Sequence, residues 1–155
     1  MANHGLIVMG DTAEEIEETT SHILQSIAAK LDGDWKTTGF GKVSYAKDPQ
    51  KIVDVVGPAL RGLLADSPAL KTVIFDDSPV ALSLAGGEIG RCAAVGGPLT
   101  PDQIVYCTSY PLWVETDPEE KTGAFITRLR TEIDQHIGQH RFPPKVVLVQ
   151  GVGLF

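Results

Sequence analysis

A few positions along the 155-residue chain carry residue types that do chemistry. His4 stands directly before Gly5 and the apolar run Leu6-Ile7-Val8-Met9. An imidazole there would be held by a strand while the small following residue leaves the backbone open. Taken alone, a histidine near a terminus is more often an ordinary residue. His136 and His140 are spaced four apart, so on a helix they face the same way, an arrangement two metal ligands can share. No Glu lies between them, and a helix C-terminus favours histidine in any case. Gly151-Val152-Gly153 follows the apolar run 145–150, so Gly151 and Gly153 could open a dinucleotide-binding turn. The third glycine of that motif would fall past Phe155, and a plain strand-to-loop turn accounts for the pair as well.

Asp76, Asp77 and Ser78 sit where a strand should end, the usual place for ligand contacts in an open α/β sheet, and they serve equally as the cap of a helix opening at Pro79. Asp102 and Glu115 have no partner acid at a recognisable spacing. Neither a nucleophile elbow nor a P-loop is visible. The cysteines, Cys92 and Cys107, form no Cys-x-x-Cys pair, and no leader-like charged and apolar stretch opens the sequence. Both features point to a reduced, cytoplasmic protein.

These residues need a scaffold, and the periodicity supplies one. With 43% apolar and 21% charged residues the chain is in the globular range and long enough for one sizeable core. Residues 5–9 read as a short buried strand. Thr12-Ala13-Glu14-Glu15 reads as a capping box, and Ile16, Thr20, Ile23, Ile27 and Leu31 recur at helical spacing, which predicts an amphipathic helix over 12–31. Residues 32–47 lack a period and read as a linker. Asp48-Pro49 opens a second helix that Pro58 should kink or split.

Further on, 71–76 reads as a strand followed by a short helix through Leu84. The glycine-punctuated stretch 86–97 has no clear assignment, and Thr100-Pro101-Asp102 opens a single helical turn. A strand is predicted near 110–115, and Asp117-Pro118 should cap a helix burying Ile126, Leu129, Ile133 and Ile137. The run 145–150 makes a last strand. Strands separated by helices predict an α/β fold with a mostly parallel sheet flanked by helices, three-layered and Rossmann-like, plus an N-terminal strand-helix segment.

The formal charge of −7 leaves no basic face for phosphates, so nucleic acid is an unexpected partner. No apolar run approaches the roughly 18 residues of a membrane helix, so no membrane partner is expected either.

The stretch from Ala2-Asn3-His4-Gly5 through Gly10-Asp11-Thr12-Ala13-Glu14-Glu15 resembles the late segment of the class II aldolase/adducin family. In that family the histidine of the Asn-His-Gly stretch is the last zinc ligand, which the resemblance assigns to His4. Pro58-Ala59-Leu60-Arg61-Gly62, Pro98-Leu99-Thr100-Pro101-Asp102 and residues 146–154 are similar, more loosely, to the central region of bifunctional proteins that join such an aldolase to a short-chain dehydrogenase, of the rhamnulose-phosphate aldolase/alcohol dehydrogenase type.

The resemblance implies that residues 1–31 are the tail of an aldolase-like domain, 32–47 a linker and 48–155 a central α/β domain. The family's upstream His-x-His pair and catalytic Glu have no counterpart here. A zinc lyase needs several imidazoles and an open coordination position, so this chain by itself is expected to be inactive. Its expected partner is the rest of a parent polypeptide acting on phosphorylated deoxysugar intermediates. Zinc would be bound only in that parent, and NAD only in a downstream dehydrogenase. Both ends look cut, and residues 1–31, deprived of the rest of their sheet, are expected either to pack on the α/β unit or to pair with another copy. The contrasting expectation is a self-standing, non-catalytic α/β module that binds a small ligand or a partner domain.

Overall fold

The computed structural model describes residues 6–31, 42–66 and 71–155. The chain divides into two compact units, Met1–Gly39 and Phe40–Phe155. His4 and residues 32–41 of the expected linker lie outside the described residues.

In the first unit, helix α1 spans Ala13–Leu31. Its start is set locally: the Thr12 hydroxyl accepts from the Glu15 N–H at 3.2 Å, while the Glu15 carboxylate accepts from the Asp11 N–H at 2.9 Å. Two donors at the helix entry are thereby satisfied by side chains. The strand expected over 5–9 is not formed by its described part. Leu6, Ile7 and Met9 are exposed and carry no ladder pairing among the described residues. A β-branched run becomes a strand only when a neighbour takes its main-chain bonds, and propensity alone does not supply one.

The second unit contains α2 (Pro49–Leu63), α3 (Pro79–Ala85), α4 (Glu88–Val95), α5 (Pro101–Cys107), β1 (Leu112–Val114), α6 (Thr122–His140), β2 (Val147–Val149) and β3 (Gly153–Leu154). The sheet order is β1-β2-β3. β1 and β2 pair in parallel with Trp113 opposite Leu148, and β2 and β3 pair antiparallel with Val149 opposite Gly153. The fold is α/β, but the expected mostly parallel, Rossmann-like sheet is replaced by a small mixed one. Three residues separate β2 from β3 in the hairpin, where a parallel return would need a crossover of a dozen or more. The run 71–76, expected as a strand, joins the sheet only through Asp76, whose N–H and C=O exchange two 2.9 Å bonds with Leu154.

Alternation along the strands assigns the two faces. Leu112, Val114, Val147 and Val149 share one core with Val56 and Leu60 of α2 and with Phe125, Leu129 and Ile133 of α6. Leu148 packs on the other face against Ala85 of α3 and Ala94 of α4, with Trp113 and Leu154 beside it. Both faces of β2 are covered, which is why residues 147–149 read as an unbroken apolar run.

α2 runs continuously through Pro58, so the expected split does not occur. α6 begins at Thr122, not at Pro118. Asp117 instead closes a turn, accepting from Glu119 N–H at 2.9 Å through its side chain and from Glu120 N–H at 3.1 Å through its carbonyl. Its buried stripe is Phe125, Leu129, Ile133 and His136, with Ile137 left exposed.

Candidate functional site

β1 is an edge strand, and the main-chain pattern tells which way each residue faces. Leu112 N–H donates to Val146 O at 2.9 Å, and Val114 O accepts from Gln150 N–H at 2.9 Å. Leu112 and Val114 therefore turn their peptide groups toward β2, and Trp113 turns its own outward. An open groove of about 1050 Å³ runs along this outer edge. Arg91 and Val95 of α4 line it from one layer, and Arg128, Glu132, His136 and His140 of α6 line it from the other.

The α6 wall is polar and rigid. Arg128 grips Glu120 through Nε (3.0 Å) and Nη2 (2.7 Å), meets Glu132 through Nη1 (2.7 Å), and donates to the Glu115 carbonyl from Nη2 (2.9 Å). The bond to Glu120, together with those to Glu132, pushes the guanidinium pKa further up despite burial. Such charge-assisted, two-pronged contacts fix geometry as well as charge. They tie the turn after β1 to the second turn of α6.

Further along the same helix face, the His140 ring stacks on Tyr110 with centroids 4.2 Å apart and lies 4.6 Å from the His136 ring. Phe142 closes the cluster at 6.0 Å from His136. His136 is only 5% exposed, and burial, followed by repulsion from His140, lowers its pKa below the ordinary 6.5. The neutral imidazole is the favoured form there. Among the described residues, the buried side-chain atoms left without a hydrogen-bond partner are Trp113 Nε1, Glu132 Oε2 and His136 Nε2, and all three belong to residues of this groove. An unsatisfied buried polar atom costs about 1–3 kcal/mol. All three lie beside the open edge of β1.

The expected site residues are distributed as follows. His4 lies outside the described residues. His136 and His140 are brought together, but no group of three or more His, Cys, Asp or Glu side chains among the described residues is arranged to hold a metal. Gly151 and Gly153 occupy the β2–β3 hairpin with φ of 69° and 142°. A Cβ on Gly153 would come 2.5 Å from Asp76 O, and one on Gly151 would come 2.7 Å from Ala46 N. Close approach of other backbone accounts for both glycines. Ser78 caps α3, its hydroxyl accepting from Ala81 N–H at 3.3 Å, and Asp76 accepts from Ser78 N–H at 2.8 Å. Sequence reading passed over Arg128, Trp113 and the carboxylates around them. The four-residue step from Arg128 to Glu132 was the one available signal.

These features define an α/β unit with a polar groove along one sheet edge. No family model matches the chain, and no solved structure matches it. It is similar to the uncharacterized oxidoreductase YuxG of Bacillus subtilis (strain 168), with 24% identity over 178 aligned residues, covering 99% of this chain and 25% of that protein. The chain thus spans about a quarter of the length of the curated relative it matches. No described helix is long and apolar enough to cross a membrane.

Proposed function

We propose that the chain is one section of a longer bifunctional polypeptide, a zinc-dependent class II aldolase-like lyase joined to a short-chain dehydrogenase that acts on phosphorylated deoxysugar intermediates. The observation that carries this reading is the relative named an oxidoreductase, which matches 99% of this chain with only 25% of its own length. The Asn3-His4-Gly5 stretch and its resemblance to the aldolase/adducin family support the lyase half.

On this reading residues 1–31 close the aldolase-like domain and contribute His4 to its zinc. The remaining ligands and the acid/base group come from the rest of the parent. The described residues do not fit the ion by themselves, since they offer no group of three or more donors. A catalytic zinc needs about three protein ligands and an open position. On this reading the chain acts only as part of the parent, and residues 48–155 serve as a connecting α/β region. NAD belongs to the dehydrogenase half.

The test is the metal content of the polypeptide expressed from the whole gene. Stoichiometric zinc, lost in a His4→Ala variant that still folds, is the expected result. Zinc retained in full by that variant would remove His4 from the ligand set and with it the lyase reading.

A further inference from the structure

We propose that the open edge of β1 is a strand-accepting site, filled in the intact protein by an extended segment of the polypeptide from outside residues 1–155. The proposal rests on the reading that the chain is a section of a longer protein.

The main chain sets the chemistry. With Leu112 and Val114 bonded toward β2, the outward Trp113 N–H and C=O and the Glu115 N–H have no hydrogen-bond partner among the described residues. A donor, an acceptor and a second donor at strand spacing are matched by another extended backbone. The side chains extend the argument to both sides of the sheet. Trp113 packs with the α3 and α4 core, whereas Glu132 and His136 belong to α6 on the opposite face. Their unpartnered atoms therefore flank the edge from two sides. Both α4 and α6 contribute walls to the groove, so the two helical layers reach past the last strand.

A small molecule seated on one face would reach Glu132 and His136 and leave the Trp113 side untouched. A strand running along the edge meets all of these groups, with its backbone on Trp113 and Glu115 and its polar side chains, which alternate between the two faces, toward the flanking atoms. This is recognition by strand addition, in which main-chain bonds supply affinity and flanking side chains supply selectivity. A relative four times as long leaves ample chain to provide the segment.

Residue-resolved amide hydrogen exchange tests this directly, comparing residues 1–155 with the polypeptide expressed from the whole gene. In 1–155 the amides of Trp113 and Glu115 should exchange quickly at every protein concentration. In the longer polypeptide they should slow by about tenfold or more. The Leu112 amide, bonded to Val146 O, should stay protected in both. Unchanged fast exchange of Trp113 and Glu115 in the longer polypeptide would overturn the proposal. Protection in 1–155 that grows with concentration would also overturn it, by making a second copy the occupant. Whether the gene encodes a longer polypeptide is settled by its sequence before any exchange is measured, so the two readings fail at different steps.

Discussion

His136 is the residue whose environment carries the most direct consequence. Its pKa is lowered in the folded chain, first by burial and then by His140. In the unfolded chain it takes up a proton near its ordinary 6.5, so below that pH the unfolded state holds more protons and stability falls. The contribution is complete above about 6.5 and is lost as pH drops toward the folded value. A thermal melt series from pH 7.5 to 5.5 should show the native chain losing more stability than a His136→Phe variant. Parallel curves for the two would show that His136 is not held neutral.

Arg128 is the second residue of consequence. Replacing it with Met leaves Glu120 and Glu132, both less than a third exposed, without their cation and frees the Glu115 carbonyl. A loss of about 2 kcal/mol is expected by denaturant titration, below the cost of a fully buried pair because water still reaches the site. A change within about 0.5 kcal/mol would mean that the network is a solvated surface pair. Both residues were only half legible. The four-residue step between His136 and His140 was visible, but burial of one ring and stacking of the other on Tyr110 depend on chain more than twenty residues away.

At the scale of elements, local signals were read well where they were self-sufficient. The Thr12 cap, the apolar period of α2, the cap at Ser78 and the apolar cores of β1 and β2 all appear where the sequence places them. The failures share a cause. α4 was missed because Gly90 interrupts its pattern, yet that glycine sits where a side chain would run into the Leu84 carbonyl, so packing of α4 on α3 outweighs helix propensity. β3 was missed because Gly153 and Leu154 become a strand only by folding back on β2.

The hairpin gives a test by paired substitution. Gly153→Ala places a methyl against Asp76 O and forces a side chain into φ of 142°, so a loss of about 2–3 kcal/mol is expected. Gly57→Ala meets nothing within 4 Å in the middle of α2, so it should instead gain about 0.5–1 kcal/mol. Equal and small effects at both sites, measured by denaturant titration, would refute the hairpin packing. The stripe of α6 makes the same point about tertiary override. Spacing selected Ile126 and Ile137, whereas the helix turns Phe125 and His136 inward, and Leu129 and Ile133 serve both registers.

For the whole molecule, the α/β class and the placement of its main helices were legible, but the extent of the sheet was not. Sheet size depends on pairing between distant segments, and neither residues 6–9 nor the run 71–76 reveals from its own residues whether a neighbour is present. The open edge of β1 and the three unpartnered polar atoms beside it are the features on which the strand-accepting proposal rests.

The central claim, that this chain is a section of a longer lyase and dehydrogenase polypeptide, is tested most directly by the genomic sequence on either side of its codons, read for about 150 residues each way, roughly one domain. An open reading frame that carries a His-x-His pair upstream and a glycine-rich dehydrogenase strand downstream is the predicted result. A frame closed by start and stop signals at both ends would contradict it, leaving an independent α/β module.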